Sequence, residues 1–262
     1  MELRRLILSL GWVVFSIHFA RPYSNSLGVN ASSSAIKNSA TYKNLPYSSE
    51  YSRSKLDLWA PNSRELSPLV VFFHSGGLTH GSRDSIPFKE IFLNLSSRGI
   101  AFASIGYPIL GDLGEKYSAE EDSRNFIRNH TLKAINFLKS NSVKFKLDPT
   151  RLVLAGSSSG CIIAEYLALV KKVPARGVLC FDQPTRSKFI LNYFKKPFPP
   201  IYFYTRAGPE DLTHHANNAR EVFNKCLEAG GGCKIFGGPK NSLSKIPKGE
   251  NFVLYSLSEI LF

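Results

Sequence analysis

The segment from residue 151 to residue 171 constrains the fold of this chain more than any other part of it. Residues 152–155 form an apolar run typical of a buried strand, and residues 159–171 form an apolar, helix-like segment. Between them stands Gly156-Ser157-Ser158-Ser159-Gly160, which fits the pattern Gly-x-Ser-x-Gly with Ser158 at its centre. Between a strand and a helix, such a turn lifts the central hydroxyl above the sheet, and the helix directs free N–H groups towards it.

The same alternation of strand and helix continues along most of the chain. Predicted strands are residues 55–59, 69–73, 100–105, 151–155, 177–181, 200–204 and 233–236, and predicted helices are residues 88–97, 124–140, 159–171, 214–229 and 251–260. This order implies an α/β fold with a mostly parallel central sheet and helices on both faces. In such a fold the functional side chains gather beyond the carboxyl ends of the strands.

Three segments of different character divide the chain, and we expect one folded domain over residues 55–262. Residues 21–54 are rich in Ser and Asn without apolar periodicity and are interpreted as a leader. Residues 1–20 carry two arginines before an apolar run, the form of a signal peptide, although His18 fits poorly at a cleavage site after Ala20. A short uncleaved membrane anchor is therefore the alternative to a signal peptide. The expected location of the protein is outside the cytoplasm, secreted or periplasmic.

The charge of the chain is strongly basic, with 33 Lys and Arg against 20 Asp and Glu and a formal net charge of +13. The basic residues are spread along the sequence, with doublets such as Lys171-Lys172 and Lys195-Lys196 and without an arginine-rich block. No nucleic-acid motif accompanies them. We therefore expect no nucleic-acid partner, and weak association with anionic surfaces.

Four cysteines bear on stability rather than on chemistry. Cys226 and Cys233 can pair across the short glycine-rich loop between them in an exported protein. Cys161 and Cys180 fall in apolar segments and are interpreted as small buried hydrophobic residues. The spacing of Cys and His predicts no metal site, and the sequence implies no cofactor.

A second motif precedes the serine turn and directly follows the predicted strand 69–73. It reads His74-Ser75-Gly76-Gly77, with Gly-Ser-Arg-Asp at 81–84 a little further on. Together with the serine turn, it resembles the esterase and lipase branch of the α/β-hydrolase superfamily, which has a His-Gly-Gly-Gly oxyanion loop. The resemblance extends from about Leu56 to the C-terminus, and Ser75 departs from the family pattern, which has glycine there.

The resemblance implies the cleavage of carboxylic esters, with a small acyl compound as substrate. Ser158 would be the nucleophile that forms an acyl-enzyme, and Ser157 and Ser159 would point elsewhere. The oxyanion would be held by an N–H group of Gly76 or Gly77 and by that of Ser159. His74 would be structural.

The same resemblance places the acid of the catalytic triad after the strand 200–204. Gly208-x-x-Asp211 has the family's usual spacing, which makes Asp211 the candidate acid and Glu210 the second choice. Asp211 would equally serve as the N-cap of the helix that follows it.

The base is the difficulty, because none of the six histidines follows the last predicted strand. One explanation is that His215 or His214, just beyond Asp211, supplies the imidazole from an unusual loop, as triads are defined by geometry rather than sequence order. A second is that Lys240, Asn241 or Lys245 takes its place. The third is a catalytically impaired α/β-hydrolase-like binding protein that keeps the pocket. The sequence leaves these alternatives open.

Overall fold

The computed structural model describes residues 39–115, 120–247 and 250–262. The predicted signal peptide or anchor, and the leader up to residue 38, lie outside the described residues. No helix within the described ranges is long and apolar enough to cross a membrane.

The core of the protein is one eight-stranded sheet in the order β1-β2-β4-β3-β5-β6-β7-β8. The strands are β1 (Tyr42–Pro46), β2 (Lys55–Trp59), β3 (Ser67–Phe73), β4 (Ala101–Ile105), β5 (Leu147–Ser157), β6 (Gly177–Phe181), β7 (Ile201–Thr205) and β8 (Lys234–Gly237). β1 and β2 run antiparallel to their neighbours. The other six strands, β3 to β8, are parallel to one another. The predicted fold class is confirmed.

Helices cover both faces of this sheet. They are α1 (Lys89–Leu93), α2 (Glu120–Ser140), α3 (Ser142–Phe145), α4 (Ser159–Glu165, continued as a π-helical turn over Tyr166–Val170), α5 (Ala216–Glu228) and α6 (Phe252–Leu261). Buried side chains of α2, α4 and α5 share one apolar cluster with Val71 and Phe73, whereas those of α1 and α6 share another with Val70 and Phe72. Successive side chains of β3 therefore pack into two different apolar cores, one on each face of the sheet, as expected for a strand buried on both faces.

The carboxyl ends of the central parallel strands are aligned at one end of the sheet, so the loops that follow them can form a common site. Phe73 at the end of β3 is in register with Gly156 of β5, and Ser157 of β5 is in register with Phe181 at the end of β6. The loops that follow these three strands consequently start next to one another.

The main difference from the predicted elements is β1, which lies inside the segment interpreted as a leader. Its side chains are exposed or half-buried, and it forms the edge of the sheet, held by antiparallel pairing with β2. Backbone hydrogen bonds at a sheet edge need no apolar pattern, so the sequence carried no periodic signal for this strand.

Both pairs of cysteines form disulfides. Cys226 is joined to Cys233 across the end of α5, the pairing that the sequence allowed. Cys161 is joined to Cys180, so the interpretation of these two as unpaired hydrophobic residues is wrong, although both are buried. The cause is tertiary, since α4 packs on β6 and brings the two Cα atoms to 4.9 Å, within the range for a disulfide.

Candidate active site

The turn after β5 has the backbone of an exposed nucleophile. Ser158 has φ 53° and ψ −118°, a sparsely populated conformation that is found where a side chain must be held at a functional site. Ser157 and Ser159 are buried, whereas the side chain of Ser158 is partly exposed in a cleft. The structure therefore presents the central serine of the motif, as predicted from its position.

Close backbone contacts explain the second glycine of the motif. A Cβ atom on Gly160 would lie 2.0 Å from the carbonyl oxygen of Phe73, at the end of the neighbouring strand β3. Any side chain here would push α4 away from the sheet and would displace the turn that carries Ser158.

Ser158, His214 and Asp211 form a continuous hydrogen-bonded path. The Ser158 Oγ lies 2.9 Å from the His214 Nε2, and the His214 Nδ1 lies 3.0 Å from the Asp211 Oδ2. With the proton on Nδ1, the Nδ1–H group donates a hydrogen bond to the Asp211 carboxylate, and Nε2 accepts the hydrogen bond of the serine hydroxyl. The hydrogen bond from His214 also holds the pKa of Asp211 below its ordinary value, so that this carboxylate stays charged.

His215, the other histidine considered for the base, is in a different position. It is the N-cap of α5, and its Nδ1 accepts a hydrogen bond of 3.2 Å from the N–H of Asn217. Of the two alternatives, the structure therefore brings His214 to Ser158, because the turn into α5 directs the two adjacent side chains in different directions. The alternative that Asp211 is the N-cap of the helix is wrong, since His215 has that position, and the Asp211 Oδ1 accepts from the N–H of His214 at 3.0 Å instead.

The substitutes for histidine that the sequence allowed have structural contacts instead. Asn241 donates through Nδ2 to the carbonyl oxygens of Thr205 and Ala207, at 2.7 and 3.2 Å. The Lys245 Nζ donates to the carbonyl oxygens of Gly238 and Asn241. The Asn241 bonds fix the loop after β8 to the end of β7, whereas the Lys245 bonds lie within that loop. Neither side chain lines the cleft that contains Ser158.

Glu210 and Lys240 do line this cleft, but at its exposed side. Both lie next to Gly208, where the Glu210 Oε2 and the Lys240 Cβ are within 4 Å of the position of an added Cβ. No hydrogen bond joins Glu210 to His214 among the described residues, so Asp211 is the acid that the geometry supports.

The loop after β3 has a backbone that requires glycine at Gly76. Gly76 has φ 123°, and a Cβ there would lie 2.0 Å from the carbonyl oxygen of His80. Gly76 and Gly77 line the cleft with Ser158. Ser159 is the first residue of α4, so its N–H has no acceptor within the helix and is free to meet a negative charge beside Ser158. The assignment of these donors stays a prediction.

His74 supports this loop from inside the protein. It is fully buried, its ring stacks on that of Tyr107 with centroids 4.1 Å apart, and the Tyr107 hydroxyl donates to its carbonyl oxygen at 2.6 Å. Burial lowers the pKa of His74 to about 4, so the ring is neutral at physiological pH. These contacts fit the structural role that was expected.

Sequence reasoning missed Arg124, which reaches the oxyanion loop from α2. Its Nη1 donates to the carbonyl oxygen of Gly77 at 3.1 Å. Its Nε and Nη2 donate to the carboxylate of Glu120, one helical turn earlier. The residue is 8% exposed. The spacing of Glu120 and Arg124 indicates a helix ion pair, but nothing in the sequence shows the contact with Gly77, which is 47 residues away.

The cleft around Ser158 has a volume of about 1100 Å³, and most of the residues that line it have polar or charged side chains. Among the described residues that line it, Ala207 and Pro209 are the only apolar side chains; the others are Ser75, Gly76, Gly77, His80, Ser157, Ser158, Asp182, Arg206, Gly208, Glu210, Asp211, Thr213, His214 and Lys240. This lining offers hydrogen bonds and charges to a ligand rather than a long apolar channel.

The described residues contain one group whose ligand atoms are close enough for a metal ion, formed by Cys161, Glu165 and Cys180. Its two sulfur atoms belong to the disulfide between α4 and β6 and supply no thiolate. The group therefore gives no argument for a metal centre.

The fold and this site together define the class of protein. An α/β-hydrolase has a mostly parallel sheet with helices on both faces and a nucleophile turn between a strand and a helix. This chain has such a sheet, a serine turn after β5, and a histidine and an aspartate after β7. The model of the BD-FAE family matches residues 56–226, more than half of the chain. The chain belongs to the BD-FAE family.

Solved structures share the fold. Esterase 2 of Thermogutta terrifontis phosphonylated by cyclosarin has a TM-score of 0.60 and 17% identity, and the match covers 78% of this chain and 85% of that one. The propionate-bound form of Est2 from the same species has a TM-score of 0.59 and 16% identity, over 78% of this chain and 86% of that one.

A curated relative is similar over a shorter length. The neuroligin-like protein glit-1 of Caenorhabditis elegans is 28% identical over 109 residues, which are 40% of this chain. The chain spans 14% of the length of that relative.

Proposed function

We propose that the protein is a serine hydrolase that cleaves carboxylic esters through an acyl-enzyme. The observation that carries this proposal is the path from Ser158 through His214 to Asp211, with hydrogen bonds of 2.9 and 3.0 Å. A serine hydroxyl is a weak nucleophile until a base accepts its proton, and His214 is in place to do so. The esterases that share the fold support the same reaction class.

In the first half of the reaction, His214 Nε2 accepts the proton of the Ser158 hydroxyl as the oxygen attacks the ester carbonyl carbon. Asp211 fixes the ring in the required tautomer and stabilises the imidazolium. The N–H groups of Ser159 and of Gly76 or Gly77 receive the negative charge on the carbonyl oxygen. His214 then protonates the departing alcohol.

Water completes the cycle by the same geometry. His214, neutral again, accepts a proton from the water that attacks the acyl-enzyme, and then returns it to Ser158 as the carboxylic acid leaves. Since large apolar side chains do not line the cleft, we propose that short acyl groups are preferred over long ones.

The alternative of a non-catalytic binding protein depended on the absence of a histidine after the last strand. His214 provides an imidazole within hydrogen-bond distance of Ser158 from another loop. No observation on the described residues therefore favours the non-catalytic alternative.

A fluorophosphonate probe tests the proposal. The wild type is expected to be labelled and to hydrolyse 4-nitrophenyl acetate faster than the octanoate ester. Ser158→Ala should abolish both activities, whereas the adjacent Ser157→Ala, a change at a buried serine, should be labelled like the wild type. A folded wild type that is neither labelled nor active on any acyl ester would contradict the proposal, and labelling that survives Ser158→Ala would contradict the nucleophile.

A further inference from the structure

A second charged pair lies in the cleft, formed by Asp182 and Arg206. Asp182 directly follows β6, is 7% exposed and has φ 52°, a conformation that is unusual for a residue with a side chain. Its Oδ1 accepts from the backbone N–H of Arg206 at 2.7 Å, and its Oδ2 accepts from the Nε at 2.8 Å and from the Nη2. The guanidinium of Arg206 is thus held in one orientation.

Backbone hydrogen bonds place this pair next to the nucleophile. The N–H of Ser158 donates to the carbonyl oxygen of Phe181 at 2.9 Å, and Asp182 is the next residue along the chain. Asp182 in turn donates its N–H to the carbonyl oxygen of Tyr204 at 2.9 Å, two residues before Arg206. Ser158, Asp182 and Arg206 all line the same cleft.

One edge of the Arg206 guanidinium is left for a ligand. Asp182 occupies the side formed by Nε and Nη2, whereas Nη1 has no hydrogen-bond acceptor among the described residues. The side chain is 46% exposed. The outer edge of a guanidinium, formed by its two Nη atoms, matches the two oxygens of a carboxylate.

The other charged groups of the cleft do not compete for this edge. Asp211 is bonded to His214. Glu210 and Lys240 carry opposite charges and both lie next to Gly208, at the exposed side of the cleft. Among the described Lys and Arg residues that line the cleft, Arg206 is therefore the one whose charged group is held by a buried carboxylate.

We propose that Arg206 is a subsite for a carboxylate carried by the substrate, so that the protein prefers esters with a free acid group near the scissile bond. This inference rests on the proposed esterase function. Asp182 acts as a positioning residue that holds the guanidinium, which lowers the entropy that is lost when the carboxylate binds. Half-esters of short dicarboxylic acids have the required chemistry.

Two matched pairs of esters test the subsite from both sides of the scissile bond. Monomethyl glutarate is compared with methyl pentanoate, which replaces the carboxylate by a methyl group on the acyl side. In the same way, 3-acetoxypropanoate is compared with propyl acetate on the alcohol side. Hydrolysis is followed by titration at constant pH, and kcat/KM for each acid is divided by that for its neutral partner.

In the wild type this ratio is expected to favour the acid in one of the two pairs. Arg206→Gln should lower that ratio about 10- to 100-fold, chiefly through KM, because it removes charge-assisted hydrogen bonds. Arg206→Lys, which keeps the charge but loses the two parallel donors, should give an intermediate ratio. It also replaces the glutamine variant if that protein fails to fold. Arg220→Gln, the same change at an arginine outside this cleft, should leave the ratio as it is in the wild type.

The outcomes separate the two proposals. A wild type that hydrolyses the neutral esters but shows the same ratio as Arg206→Gln and Arg206→Lys would overturn the subsite and leave the esterase function standing. Equal losses for the acidic and the neutral ester would assign Arg206 a purely structural role and overturn the subsite as well. A wild type that hydrolyses no ester and is not labelled at Ser158 would overturn both.

Discussion

Asp211 and His214 lie three residues apart on one loop, and two hydrogen bonds of 3.0 Å join them, one from the His214 backbone N–H and one at its Nδ1. Acid and base of the candidate triad thus share the connection between β7 and α5. This loop places the imidazole Nε2 2.9 Å from the Ser158 Oγ.

The adjacent histidines give a direct test of this arrangement. His214→Ala is expected to lower kcat at least about 10³-fold, because it removes the base that faces Ser158. His215→Ala should keep near wild-type turnover and lose about 0.5–2 kcal/mol of unfolding free energy, because it removes an N-cap. Ester hydrolysis and urea unfolding of both variants measure these effects. The opposite pattern, with His215 essential and His214 dispensable, would contradict the assignment.

Asp211→Asn separates the charge of this residue from its role in the turn. The asparagine Oδ1 can still accept from the His214 N–H, so the loop should keep its shape. Loss of the carboxylate at Nδ1 should lower kcat about 10³- to 10⁴-fold. Thermal unfolding of the variant serves as the control, since a large fall in stability would show that the turn itself had changed. Turnover like that of the wild type would point to another acid, such as Glu210.

Arg124 is expected to act on the reaction through the oxyanion loop, because it holds the carbonyl oxygen of Gly77. Arg124→Gln should lower kcat about 10- to 100-fold with little change in KM, and Arg124→Lys should recover part of the loss. The affinity for a boronic acid, which mimics the tetrahedral intermediate, should fall in parallel with kcat.

Arg128→Gln is the matched control for Arg124. Arg128 lies one turn further along α2, is buried as well, and bonds to Glu121 and Asn125 instead of the loop. Its replacement is expected to affect stability rather than kcat. An unchanged boronic acid affinity in Arg124→Gln would exclude the positioning role.

Glu165 is expected to make stability fall as the pH rises. It is fully buried on α4, and burial raises its pKa from 4.5 to about 8 in the folded protein. Between these two values the folded state keeps the proton that the unfolded state has released, so stability is full below pH 4.5 and declines towards pH 8. The decline contributed by this group is about 1.4 kcal/mol per pH unit.

Glu165→Gln should remove this part of the pH dependence, because the amide is neutral at every pH and can still accept from the Gln183 Nε2. At pH 7.5 the variant should be more stable than the wild type by more than about 1 kcal/mol. Urea unfolding between pH 5 and pH 8 measures the slope. Glu221→Gln, a change on the exposed side of α5, should keep the wild-type slope. A wild-type slope in Glu165→Gln would show that the buried carboxyl is ionised in the folded state.

The sequence by itself determined the fold class and the elements that carry the chemistry. The apolar runs at β3 and β5 are typical of strands that are buried on both faces. The position of Ser158 between strand and helix follows from the same local rules. Local steric requirements limit which residue types can occupy a strand or a tight turn. They can therefore be predicted from the sequence without knowledge of the tertiary contacts.

Only the tertiary structure decided which groups meet. Whether His214 or His215 faces Ser158 depends on the residue at which the loop after β7 ends and α5 begins. A shift of the N-cap by one residue would change which of the two histidines faces the serine. The contact of Arg124 with Gly77 and the disulfide between Cys161 and Cys180 join segments far apart in sequence. Such contacts are set by the packing of whole helices on the sheet, and no local pattern of residues encodes the side chains that this packing brings together.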